Sequence, residues 1–219
     1  MTKADRRKFL KAALAAMAAT AGAGTISCRT AMCYTMGSVG SGDVKPPFTF
    51  LLKGNKKVAI VCRHENQSAP QELSRDIARQ VSEIIDNRTK NKKLKVVEPS
   101  QIEAWLDSNV FNELLEVGRA VTADFVIGIE LIGFQLRDSH SPHLLQGKAR
   151  LQVRACDCKT GEMVADKPLD IVYPPTVPIT ATGPDVEQPF RVQFIQIISE
   201  QIANLFVHHY DPPGAGQGT

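Results

Sequence analysis

The side chains in this sequence with most scope for chemistry are cysteine and histidine, and four of them come in pairs two residues apart: Cys62 with His64, and Cys156 with Cys158. Residues two apart on a strand share a face. Each pair can therefore present two soft donors together, and four such donors suit a tetrahedral zinc at about 2.0 to 2.3 Å. The spacings are Cys-x-His and Cys-x-Cys, not the gaps of two to four residues usual in structural zinc sites, so no metal and no cofactor is assigned. Two other readings stand beside zinc: small core cysteines, and a disulfide in an oxidising compartment, for which Cys33 is a further partner. A bridge between Cys156 and Cys158 is disfavoured, because same-face neighbours on a flat strand lie about 6.6 Å apart with parallel side chains. His140 and His143 sit in a polar loop with Ser139 and Ser141, and His208-His209 ends the last helical pattern. A loop histidine is ordinarily solvated, and one in a C-terminal helical turn complements the helix dipole. No nucleophile and base pair can be read from these spacings, so no catalytic residue is assigned and an enzyme is not expected.

Lys148, Arg150 and Arg154 alternate with apolar residues, as do Gln146 and Gln152, which places all five on one face of a strand. Guanidinium groups offer planar, bidentate donor sets. The stripe is either the wet face of a half-buried sheet or a dock for an acidic partner surface or anionic envelope polymer.

The N-terminus carries an address. Lys3, Arg6, Arg7, Lys8 and Lys11 precede a run of small and apolar residues from Ala12 to Ile26, and small residues lead into Cys28. This is the layout of an export signal over residues 1–27. Arg6-Arg7-Lys8-Phe9-Leu10 resembles the twin-arginine signal, with Asp5 where that signal has Ser or Thr, and general secretion is the other route. Thr25-Ile26-Ser27-Cys28 resembles a lipobox, which implies that Cys28 is acylated and becomes the first mature residue; simple cleavage is the alternative.

The chain has 219 residues, 43% hydrophobic and 22% charged, which suits one globular domain with tails. Its formal charge is +3. Removing the five basic residues and one acidic residue of the signal leaves 21 basic and 22 acidic side chains, a net of −1. Global charge therefore makes no case for nucleic acid as a partner. Outside the N-terminus no apolar run reaches the ~20 residues a spanning helix needs, which excludes a multi-span helical membrane protein.

The elements that must position these residues follow from periodicity. Residues 28–55 are rich in Gly and Pro and read as a tether that becomes ordered near Phe48 to Leu52. An α/β domain spans 56–210. Val58 to Cys62 is an uninterrupted apolar run, as in a central strand covered on both faces. Ser68 and Gln71 form a capping-box pattern, and Leu73, Ile77, Val81, Ile84 and Ile85 follow at helical spacing to about residue 88. Leu94 to Glu98 is a short strand, Ser100 with Glu103 a second capping box opening a helix with Ile102, Trp105 and Leu106, and a further helix runs from about 110 to 121. Asp124 to Leu136 is a long strand whose apolar phase shifts at Gly133, the mark of a bulge. The next strand alternates from Leu145 to Ala155, Lys159-Thr160-Gly161 is a hairpin loop with Gly161 left-handed, and Glu162 to Tyr173 returns. Five prolines between Pro174 and Pro189 predict an extended loop without ladder bonds. Phe190, Phe194, Ile198, Ile202, Leu205 and Phe206 form the stripe of the last helix, and residues 211–219 are a flexible tail. The order β-α-β-α-α-β-β-β-α predicts a two-layer α/β (α+β) domain, a mixed sheet with a long antiparallel hairpin and helices mainly on one face.

Several of these segments carry a resemblance. Val58 to Cys62 with its following helix, Lys95 to Glu98, Ala120 to Ile127 and the Asp157 to Glu162 hairpin are similar to the α/β domain of the TolB N-terminal region, the curli-secretion lipoprotein CsgG and the lipoprotein activators of peptidoglycan synthases. The whole chain also resembles a family of small bacterial envelope lipoproteins. The resemblance implies a non-enzymatic protein of the cell envelope, at the periplasmic face of a membrane, that works by contacting another envelope protein. The chain lacks the amphipathic hairpins of a CsgG-like pore, and its tether is short for an activator that crosses the periplasm. The alternatives are a ligand-binding or metal-dependent envelope enzyme using the Cys and His residues, and a subunit of an oligomeric secretion assembly. Acylation predicts a lipid-sized mass increment on the N-terminal peptide beginning at Cys28. An unmodified N-terminus in intact-mass spectra sinks that expectation.

Overall fold

The computed structural model describes residues 42–64, 71–89, 94–109, 113–138, 140–180 and 186–211. The export-signal residues Arg6, Arg7, Phe9 and Leu10, the lipidation candidate Cys28, Cys33 and the capping residue Ser68 lie outside them. Two short strands, β1 (Gly42–Val44) and β8 (His209–Asp211), pair with each other in a two-stranded sheet.

The α/β domain opens on a 3-10 turn at Thr49–Leu52, where Leu51 and Leu52 are buried. β2 (Lys56–His64) follows, then α1 (Gln71–Thr89), β3 (Leu94–Val96), α2 (Pro99–Ser108), α3 (Leu114–Ala120), β4 (Phe125–Arg137), β5 (Leu144–Asp157), β6 (Met163–Tyr173), β7 (Ile179–Thr180) and α4 (Glu187–Ala203). The sheet is mixed and open, in the order β3-β2-β4-β5-β6, with β7 pairing the start of β5. β3 and β4 flank β2 in parallel, whereas β4, β5 and β6 are antiparallel. This is the predicted fold class.

The apolar run of β2 serves two cores, as a strand covered on both faces must. Val58, Ile60 and Cys62 join the larger core with Leu73, Ile77, Val81 and Ile85 of α1, the inward residues of β4 and β5, and Phe194, Ile198 and Ile202 of α4. Ala59 and Val61 join the smaller core with Ile102 of α2 and Val117 of α3. The two long helices thus share one face, and the two short ones cover the opposite face over the parallel strands. On the α4 side the fit is close: a Cβ on Gly147 of β5 would lie 2.6 Å from the Phe194 ring, nearer than packed carbon atoms approach.

Three expectations need correction. The Ser100 and Glu103 capping box does not form. The helix begins two residues earlier, with Pro99 in its first turn and no side-chain cap at Glu98, because the fixed φ of proline suits that position. Glu103 instead receives Arg79 of α1 at 3.2 Å, and Arg75 pairs with Asp107, so ion pairs join α1 to α2 beside the short edge strand β3. Second, β3 stops at Val96, although the Val97 N–H still donates to Val58 O at 2.8 Å. Third, the proline-rich segment does make ladder contacts: Ile179 pairs Leu145 and Thr180 pairs Leu144. Proline forbids a bond only at its own N–H, and two non-proline residues suffice for this short edge. The shift at Gly133 is present, as a register irregularity between Leu131 and Gly133, and Gly161 has φ +77°.

β4 begins at a polar junction. Asp124 Oδ2 accepts the Lys57 N–H at 2.9 Å, and Oδ1 faces Lys159 Nζ at 2.9 Å. These bonds hold its carboxyl below the usual carboxylate range, the Lys57 N–H first and the Lys159 ammonium second. A carboxyl depressed by folding binds protons more readily unfolded, so its contribution is complete above the ordinary carboxylate value near pH 4 and fades as pH falls through the folded value. Asp124→Asn is expected to lower stability at pH 7 and to make the loss below about pH 4 shallower than in the wild type. Denaturant midpoints measured between pH 2 and pH 7 check this, and parallel curves contradict it.

Candidate functional site

The soft-ligand residues do not assemble. Cys62 lies in the larger core and Cys158 against the smaller one, so the sheet separates the two pairs. Cys62, Cys156 and Cys158 are all free. Burial pushes the Cys62 thiol up to about 12, only partly offset by the Ser74 hydroxyl, and Cys158 up to about 11; it raises Cys156 as well. Thiols held this way stay protonated at neutral pH, and the thiolate is the form that attacks or ligates. Cys158 has a packing role, because its sulfur fills the space above Gly118 of α3. Among the described residues no group of three or more His, Cys, Asp or Glu side chains gathers as a metal site. His140 is exposed, its N–H donating to Asp138 Oδ1 at 2.8 Å; His143 is exposed, and His209 is half-buried beside Val207 O.

The basic stripe does share a face, and the structure shows what lies between its members. α3 leans on the parallel half of the sheet, with Leu114 seated directly over Gly128. Beyond Leu114 the outward face of β4, β5 and β6 is open. Cross-strand register sets Arg150 opposite Asp170, Gln152 opposite Glu130 and Pro168, and Arg154 opposite Gly128 and Asp166. Glu130 is the hinge of this ladder: Arg63 reaches its Oε1 at 2.7 Å and Arg154 its Oε2 at 3.3 Å. Arg154 also approaches Asp166 at 3.8 Å, which in turn receives the Gln152 amide. Arg150 Nε meets Asp170 Oδ1 at 3.0 Å, and Lys148 Nζ lies 3.6 Å from Asp138 Oδ2.

The stripe is therefore one column of a mixed-charge ladder, with a carboxylate beside every cation. The solvent sees more of its outer rungs, since the Arg150 and Asp170 side chains are 69% and 73% exposed whereas Glu130 is 20% exposed. Val172, opposite Lys148, adds an exposed apolar contact at the end of the ladder. Chemically this surface can exchange internal ion pairs for external ones with a partner of matching alternation. Residue spacing alone does not reveal the acidic column of Glu130, Asp166 and Asp170, which the cross-strand register brings beside the basic one.

No protein-family profile and no curated protein matches the sequence. Solved structures similar to the chain include the PelC dodecamer from Paraburkholderia phytofirmans, at 9% identity and TM-score 0.44 over 77% of this chain and 97% of that one. Lipoprotein GNA1162 from Neisseria meningitidis matches at 11% identity and TM-score 0.43, covering 68% of this chain and 99% of that one. The LpoB C-terminal domain from Salmonella enterica matches at 13% identity and TM-score 0.34, covering 54% and 84%. Lipoproteins thus stand among the similar structures, at a level of likeness that speaks to no activity or partner.

Removing the Glu130 carboxylate leaves Arg63 and Arg154 adjacent without their shared acceptor. Because both guanidinium groups are more than a third exposed, solvent screening limits the cost, and Glu130→Ala is expected to lose about 1 kcal/mol. That loss should shrink when salt rises to 1 M, where the screening length falls to ~3 Å. Urea unfolding at the two salt concentrations checks it; an equal loss in both shows that Glu130 acts by packing alone.

Proposed function

We propose that this chain is an exported cell-envelope protein, held at the periplasmic face of a membrane by a lipid on Cys28, whose α/β domain acts as a non-enzymatic protein-binding or scaffolding module. The observation that carries the reading is the open ladder face of β4, β5 and β6. Its opposite side is locked into the larger core through Ala149, Leu151, Val153 and Ala155, so the backbone beneath the exposed side chains is already ordered and loses little freedom when a partner binds. Alternating charges favour one register of approach and penalise others, which gives specificity more than raw affinity. The export-signal pattern and the resemblance to envelope lipoprotein domains support the same reading.

In-cell crosslinking with the full-length protein should capture one dominant envelope protein. That capture should be lost when Lys148, Arg150 and Arg154 are replaced by Glu. A second variant, Arg150→Asp with Asp170→Arg, keeps the internal pair while reversing its direction, so it separates misfolding from a lost contact. An unchanged captured set in both variants removes this face from the proposal, and absence of any specific partner overturns the binding role.

A further inference from the structure

The open ladder face has an order that suits one partner in particular. Its outward charges are basic along β5, at Lys148, Arg150 and Arg154, and acidic along β6, at Asp166 and Asp170. The register sets the two columns at matching heights: Arg150 opposite Asp170, Arg154 opposite Asp166, and between them the uncharged rung of Gln152 and Pro168. The side chains of Arg150, Arg154, Asp166 and Asp170 are each more than a third exposed. One rung beyond Arg150, exposed Val172 lies opposite Lys148. On the β4 side the open area stops at α3, whose Val117 packs with Val61 and Val126 and whose Leu114 seats over Gly128. The free surface is thus about as wide as the hairpin of β5 and β6.

We infer that this face pairs with its own counterpart on a second copy of the chain, about a two-fold axis that runs parallel to the strands between β5 and β6. The charge columns themselves select that occupant. A two-fold along the strands keeps every rung at its height and exchanges left for right, so the basic column of one copy lies over the acidic column of the other. Arg150 then stands over Asp170 of the second copy, and Asp170 over its Arg150. Each such rung becomes a square of alternating charge, with like charges only on the diagonals. The Lys148 stem covers Val172 of the second copy while its ammonium stays in water. Facing sheets pack nearly aligned and about 10 Å apart, a gap that Arg and Asp side chains close from both sides. The other two-folds fail. An axis across the strands, or one lying over either strand, puts like charge on like, and one between β4 and β5 drives the second copy into α3. With the axis between β5 and β6, α3 instead comes to lie beside the outer edge of the second copy's β6, clear of its face. Exposed pairs each contribute little affinity, so the alternation sets the register and leaves the dimer sensitive to salt. The inference rests on the protein-binding reading above and names its partner.

The test uses the full chain with Cys28→Ser, so that no lipid mediates association. Sedimentation equilibrium should show monomer and dimer in exchange, with a dissociation constant that rises about tenfold from 50 to 500 mM salt. In a dimer, R150D would make a rung of four carboxylates and D170R a rung of four guanidinium groups, so each alone should dimerise about tenfold more weakly. Mixed together, the two should form a heterodimer as tight as the wild-type pair. The double variant R150D/D170R keeps the cross-strand pair within each chain. It should dimerise with itself as the wild type does, but form mixed dimers with the wild type about tenfold less readily. A wild type that stays monomeric, R150D dimers of unchanged strength, no gain on mixing the single variants, or statistical mixing of the double variant with the wild type each overturns the inference. A monomeric wild type that captures a different envelope protein through Lys148, Arg150 and Arg154 overturns it and leaves the binding reading standing, whereas a monomer that captures nothing removes both.

Discussion

The arrangement depends most on one carboxylate, that of Asp124. Its two oxygens meet the Lys57 N–H and the Lys159 ammonium. Its own N–H donates to Lys57 O at 2.7 Å, and its carbonyl accepts the Cys158 N–H at 2.9 Å. One residue thereby sets the register of the parallel pair β2 and β4 and fastens the hairpin turn to the same point. A slip by one residue would send every inward side chain of β4 to the wrong face. The local backbone is shaped to serve this junction: Thr122 sits at φ +52°, a conformation uncommon for a β-branched residue, and Lys57 Nζ steadies it by donating to Val121 O and Thr122 Oγ1.

From that junction the sheet divides into two halves with different surroundings. The parallel half is covered on both faces over Val58 to Val61, and that run is correspondingly apolar. The antiparallel half is dry on one side only, so its strands alternate. The division falls where Leu114 rests over Gly128, a position where any side chain on the strand would displace α3. How far this face is covered is thus set by where the short helix begins.

Much of this was legible from residue spacing, because burial imposes period 2 on half-covered strands and period 3.6 on helices. The inward residues of α1 and α4, the two-sided burial of Val58 to Cys62, the phase shift at Gly133 and the left-handed Gly161 all follow from local pattern. The acidic column was not legible. Counting back from the hairpin turn sets Arg154 opposite Ala165, an inward residue; the irregularity between Ala155 and Cys156 moves the register by one and places Asp166 there instead. The extra residue is Val164 of β6, between Met163 and Ala165 and against consecutive residues of β5, and neither Gly nor Pro marks the position.

The outer edge of the sheet has a consequence for how copies of the chain meet. β6 is eleven residues long, and among the described residues no strand pairs with its outer side, the kind of edge to which other extended chains add. Pro168 stands in its middle, with Lys167 beside it. An incoming strand finds no N–H at that rung, and a second copy would bring one lysine against another. Copies of the chain that meet edge to edge are thereby kept from joining into one continuous sheet. An interrupted edge lets them crowd together without zipping into fibres.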